Sequence, residues 1–113
     1  MAELGDTMAV RREIDEMIRR IAERFDPEKI VLFGSHARGT AGPDSDADLL
    51  VVMRFQGSRR KQATQIDLAL VGVDLPADVI VATPEEVERY RDLAGTIICP
   101  ALREGRVVYE RKP

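Results

Sequence analysis

The sequence predicts an α+β fold of the two-layer α/β type, a mixed β-sheet with helices packed on it. Three observations carry this. Apolar residues recur at helical spacing through the first 25 positions, and apolar runs of strand length follow at Ile30–Phe33 and Leu49–Met53. Segments that open with helix-capping residues then alternate with further short apolar runs. At 113 residues the chain is read as a single domain spanning 1–113, with no repeats, low-complexity tracts or linkers.

The elements follow in order. Val10, Ile14, Met17, Ile18, Ile21 and Phe25 step by threes and fours, which predicts an amphipathic helix from an N-cap at Thr7 to about Arg24. Asp26-Pro27 stops it, because the residue before a proline is pushed out of helical geometry. Ile30–Phe33 is apolar on every residue, the pattern of a central strand. A loop rich in Gly, Ser, Thr, Pro and Asp separates it from the strand through Leu49–Met53 and is expected at a sheet edge, with a short helix at Ser35–Gly39. Ser58 caps a second long helix reaching about Val71, with Ala63, Ile66, Ala69 or Leu70, and Val73 inward. Its first turn holds Arg59-Arg60-Lys61, three bases where the helix dipole slightly disfavours them, read as a solvent-facing group or an anion or RNA contact. A third strand covers Asp78–Ala82. Thr83-Pro84-Glu85-Glu86 opens another helix with cap, proline and acids in their preferred places. A last helix at Ile97–Arg103 stops at Gly105, and a strand at Arg106–Glu110 follows.

Composition bounds the function. With 44% hydrophobic and 33% charged residues and no long apolar run, the chain reads as soluble, without a membrane span, and cytoplasmic. One cysteine, Cys99, excludes an internal disulfide, and with His36 as the one histidine no zinc ligand set remains. A net charge of −3 argues against gripping extended nucleic acid through its phosphates, while a small nucleotide stays open because a metal and a few arginines neutralise it locally.

The loop between the first two strands holds the chemistry. Gly34-Ser35 leaves main-chain N–H groups free to approach an anion closely. Asp46 and Asp48 lie two apart where the next strand begins, so the strand period sends both carboxylates out of one face. Two like charges side by side resist full ionisation unless a cation joins them, and a hard, oxygen-preferring ion such as Mg2+ suits the pair. Rival motifs fail on spacing. A calcium loop starting at Asp44 would need Gly at Leu49 and Glu at Phe55, and a Walker loop from Gly34 and Gly39 would need Lys at Thr40.

Gly34-Ser35, ten intervening residues and Asp46-Ala47-Asp48-Leu49 resemble the signature of the polymerase-β-like nucleotidyltransferase superfamily, an hG[GS] turn before a Dh[DE]h strand. The phrase GSHARGTAGPDSDADLLVV is similar to its small stand-alone branch, the minimal nucleotidyltransferases often paired with a HEPN-type protein. The resemblance implies a polymerase-β-like fold and transfer of a nucleoside monophosphate, AMP from ATP, to an acceptor. It implies two Mg2+ ions, with Mn2+ as an alternative, held by Asp46, Asp48 and a third carboxylate. Asp78 takes that place by resemblance, with Asp74 next and Asp67 behind because its place is helical. Gly34 and Ser35, with Arg38 and Ser45, would hold the nucleotide, although Ser45 also suits bracing the loop. His36 is read as exposed, with a phosphate or base contact as the alternative. The acceptor implied is a HEPN-type partner in a toxin–antitoxin pair, this chain being the antitoxin; self-association is left open. The competing reading is a catalytically weak nucleotide- or metal-binding module that acts by docking to its partner.

Overall fold

The computed structural model describes residues 2–42 and 45–112, with side chains from Met8 onward. Asp44, the start of the rejected calcium loop, and the Thr7 hydroxyl lie outside them. In chain order the elements are α1 (Ala2–Phe25), β1 (Lys29–Phe33), α2 (Ser35–Arg38), β2 (Ala47–Val52), α3 (Arg59–Ala69), β3 (Ala77–Ala82), α4 (Pro84–Tyr90), α5 (Ile98–Glu104) and β4 (Arg106–Glu110).

The strands form one mixed sheet in the order β3-β2-β1-β4. β1 runs antiparallel to β2 and β4, while β2 and β3 are parallel. The parallel pair needs a crossover, and α3 supplies it. The loop between β1 and β2 therefore joins the two central strands at their ends, and does not sit beside an outer strand as its turn chemistry suggested.

The two-residue period of β2 divides the core. Ala47, Leu49 and Val51 point to one face, where Ile14, Met17 and Ile21 of α1 and Ile66 of α3 bury them completely or nearly so. Leu50 and Val52 point to the other, against Ile98 and Ala101 of α5 and, at the margin, Val87 and Tyr90 of α4. The larger layer is α1 with α3, and α4 and α5 add a smaller one on the reverse face. Asp48 shares the face of Leu50 and Val52, but it lies at the first turn of β2, where that helical cover gives out.

Local signals are realised almost as written. Ser58 accepts from the Lys61 N–H at 3.0 Å, and Thr83 and Glu86 form a reciprocal capping box with Pro84 behind it. Asp26 takes a positive φ of 45° after α1, a conformation that aspartate tolerates better than most residues. Cys99 is buried in α5. One expected boundary is wrong: α1 starts at Ala2, so Thr7 is inside the helix and not at its cap. The amphipathic stripe marks where α1 meets the core, and the helix begins before it.

The basic triple is likewise accounted for. Arg59 donates to both Glu86 oxygens, at 2.8 and 2.5 Å, and to the Val81 carbonyl at 2.8 Å, with its guanidinium 5.5 Å from the Phe55 ring centre. It ties the start of α3 to the end of β3 and to α4, and so is no free anion ligand; Arg60 and Lys61 face solvent. The Arg59 bonds, with those from Thr83, hold the Glu86 carboxyl down at about 2. A depressed carboxylate stabilises the fold above its unfolded value near 4.5 and loses that contribution as pH falls toward 2. Glu86→Gln is therefore expected to destabilise by about 1–2 kcal/mol at pH 7. The two proteins should converge near pH 2–3 in thermal melts.

Candidate functional site

Parallel pairing sets Asp48 directly opposite Asp78, and Ala47 opposite Ala77. Partners in a parallel register project from the same face, so the two carboxylates stand side by side on adjacent strands, about 4.8 Å apart in backbone spacing. Asp46 precedes β2 by one residue and lies two positions from Asp48. Asp46 and Asp78 are exposed, while Asp48 is half-buried between them.

The electrostatics follow this layout. Asp48 is pushed above its ordinary value first by burial, then by the charges of Asp78 and Asp46; His36 and Arg38 pull the other way. All four named neighbours thus act on one carboxylate. Asp67, on α3, is also raised, by burial and then by Asp78. Spatial proximity brings this residue to the margin of the acidic group, where its helical position had argued against it. Asp74 sits in the turn before β3, its N–H donating to Glu13 at 2.7 Å.

Gly34 closes the other side. Its φ of 75° and ψ of −154° lie in a region open essentially to glycine alone. A Cβ at this position would overlap the Asp48 carboxylate. Glycine is required twice, for the turn and for the close approach, and β1 delivers it there because Phe33 is the register partner of Asp48. Ser35 opens α2, with the Ala37 and Arg38 N–H groups bonded back to the Gly34 carbonyl at 3.1 Å. Among the described residues no side chain caps this helix, which leaves the Ser35 and His36 N–H groups to face an anion.

The remaining predicted residues divide. Ser45 Oγ accepts from the Gly42 N–H at 2.9 Å, which is the bracing role. Arg38 is within electrostatic reach of Asp48, and its Nη1 lies 3.3 Å from Glu104 at the end of α5. His36 is half-buried, contrary to the exposed reading, with Nε2 3.0 Å from the Ser45 carbonyl. That contact links positions nine apart across a loop, and no periodicity signals it.

The donor set fits a hard divalent cation. It offers carboxylate oxygens without soft ligands, and like charges raise the central one, the condition a cation relieves. Among the described residues no three carboxylate, imidazole or thiol groups are already drawn into a metal-ligand set. A cavity of about 510 Å³ opens at the opposite ends of β1 and β2, near Lys29, Val52 and Arg91. Most of its rim charges are paired among themselves, Lys29 with Glu110, Arg111 with Glu28 and Arg91 with Glu88, so it offers a polyphosphate little.

Comparison with known proteins identifies the family and the fold. The family model described as a nucleotidyltransferase domain matches residues 14–104. A Methanocaldococcus jannaschii protein named "Putative protein adenylyltransferase" is 31% identical over 112 residues, covering 94% of this chain and 76% of its own. Among solved structures, one titled a "putative nucleotidyltransferase" from Sulfolobus solfataricus superimposes with a TM-score of 0.69 at 19% identity, over 98% of this chain and 89% of its own. A toxin–antitoxin structure with AMP-PNP gives 0.58 at 21% identity, over 87% and 73%. With a family match across most of its length and a relative above 30% identity, the chain belongs to the nucleotidyltransferase domain family and has the polymerase-β-like fold.

Proposed function

We propose that this chain transfers AMP from ATP to a hydroxyl group of a partner protein, with Asp46, Asp48 and Asp78 as its catalytic carboxylates. The observation that carries the reading is the alignment of Asp48 with Asp78 across β2 and β3, beside Asp46 and the obligatory glycine at 34. Asp46 and Asp48 would hold two Mg2+ ions and Asp78 one of them. When bound, such ions neutralise the attacking and leaving oxygens of an in-line displacement.

The chain's own groups do the positioning. N–H groups at the Gly34-Ser35 turn and the Ser35 hydroxyl hold the β- and γ-phosphates, leaving the α-phosphorus turned toward the acceptor. Asp78 takes the proton from the acceptor hydroxyl as its oxygen bonds to the α-phosphorus. The bond from that phosphorus to the bridging oxygen breaks, and pyrophosphate leaves with its charge met in part by Arg38. The relative named for protein adenylylation and the toxin–antitoxin neighbour with AMP-PNP support ATP and a protein acceptor. Another toxin–antitoxin neighbour, MntA-HpeT, is a variant with two aspartates changed to glutamate, two positions apart, the spacing of Asp46 and Asp48. On this reading the chain works in the cytoplasm as the antitoxin beside a HEPN-type toxin.

Labelled ATP tests the proposal. With Mg2+ and the protein encoded by the neighbouring gene, label from [α-32P]ATP is expected to stay on that protein through a denaturing gel, and label from [γ-32P]ATP is not. Transfer of the γ label, or no transfer from any of the four triphosphates, would overturn it. The rival reading of a docking module draws on the absence, among the described residues, of a gathered ligand set. It requires that Asp46→Asn with Asp48→Asn still neutralise the partner.

A further inference from the structure

We infer that His36 is a positioning residue: it fastens the segment that carries Asp46 to the helix that follows the phosphate turn, setting the distance between carboxylates and anion site. This rests on the proposed nucleotide reading and adds to it a residue that need not touch substrate.

Between Gly34 and Asp46 the chain contains Gly39 and Gly42, residues that cost much backbone entropy to order. Hydrogen bonds gather its described residues at two places. Thr40 N–H donates to the Ser35 carbonyl at 3.0 Å, closing the α2 turn. Ser45 donates its N–H to the Gly42 carbonyl at 3.1 Å and accepts from the Gly42 N–H through its hydroxyl, which binds these two residues together. His36 joins the α2 turn to Ser45, with Nε2 at 3.0 Å from the Ser45 carbonyl. With a carbonyl as partner, Nε2 carries the proton and donates. Ser45 is bonded to Asp46, and Ala47 then enters the sheet through its N–H to the Pro76 carbonyl at 2.9 Å.

Asp46 is thus held from two sides, by the sheet after it and by the His36 bond before it. It needs such support because it precedes β2 and lies outside the strand register, so the sheet does not fix it directly. A group that orients a ligand without touching the ion is typically worth tenfold to a hundredfold in affinity. Losing it restores loop freedom that binding must then remove.

His36→Leu keeps bulk and removes the donor, while His36→Gln places an amide N–H near the position of Nε2. AMP-PNP with Mg2+, which binds without turnover, is the probe for calorimetry. Amide hydrogen exchange on the free proteins reads the loop directly. For His36→Leu the account predicts about tenfold weaker binding and faster exchange at Gly42, Ser45 and Asp46, with α1 unchanged. For His36→Gln it predicts recovery of both to within about threefold of the wild type. Binding by His36→Leu within twofold of the wild type, unchanged loop exchange, or a glutamine variant no better than leucine would overturn the inference. If the wild type takes up no AMP-PNP, the nucleotide reading fails on its own, and exchange alone decides the role of His36.

Discussion

Asp48→Asn is expected to lower nucleotidyl transfer by about a thousandfold or more while raising the melting temperature of the ligand-free protein. On the proposed reading the activity loss follows from removing the carboxylate beside Asp46 and Asp78 that would anchor cations worth several kcal/mol to phosphoryl chemistry. The stability gain follows from the same position. Burial and then the charges of Asp78 and Asp46 raise the Asp48 carboxyl, so the folded state favours its protonated form. A raised carboxylate costs stability above its folded value and relieves the fold as pH falls through it. Asparagine keeps this position neutral at every pH. The variant should therefore melt above the wild type at pH 7, and the gap should close as pH falls and Asp48 itself takes up a proton. Saturating Mg2+ with AMP-PNP should reverse the order, because a ligand that binds the native state raises the melting temperature of the protein that holds it. A variant less stable than the wild type at pH 7 would show that Asp48 has a structural bond the geometry does not reveal.

Gly34→Ala should fail differently, losing stability and activity together. The methyl group meets two penalties: a backbone conformation worth about 1–3 kcal/mol of strain for any other residue, and overlap with the Asp48 carboxylate. A loss of about 2–3 kcal/mol, or about 10 °C in melting temperature, is expected. Transfer should fall by at least about a hundredfold, because the displaced carboxylate and the phosphate turn are then out of register. Gly39 provides the control. Its φ of 77° is also positive, but a Cβ there has nothing within 4 Å among the described residues, so Gly39→Ala should cost only about 1–2 kcal/mol and leave most of the activity. Equal effects at the two positions would mean that backbone conformation alone matters and that the approach to Asp48 is incidental.

The contrast between these glycines shows what a sequence makes legible. Both are punctuation in the loop, and periodicity places the strands on either side of them. Capping residues at 58 and 83 and the apolar stripe of α1 are local signals, and the structure keeps them because local and tertiary preferences agree. The strand that Asp78 heads was legible for the same reason, while the place of Asp78 beside Asp46 and Asp48 came from the family resemblance. That it aligns with Asp48 depends on β2 and β3 running parallel, which the crossover decides. Contacts between distant positions were invisible. Arg59 with Glu86, His36 with Ser45 and Asp67 with Asp78 are products of packing, and they changed the reading of a basic triple, a histidine and a helical acid. Thr7 misled because a cap signal is also an ordinary helical residue when the chain before it can continue the helix.

The central claim is that Asp46 and Asp48 and the glycine-serine turn beside them form one site for cations and a triphosphate. Calorimetric titration of AMP-PNP with Mg2+ into the wild type and into the Asp46→Asn, Asp48→Asn pair tests it most directly. The account predicts one saturable site in the wild type and loss of at least about a hundredfold in affinity in the double variant, with the fold intact by circular dichroism. Equal affinity in the two proteins would contradict it.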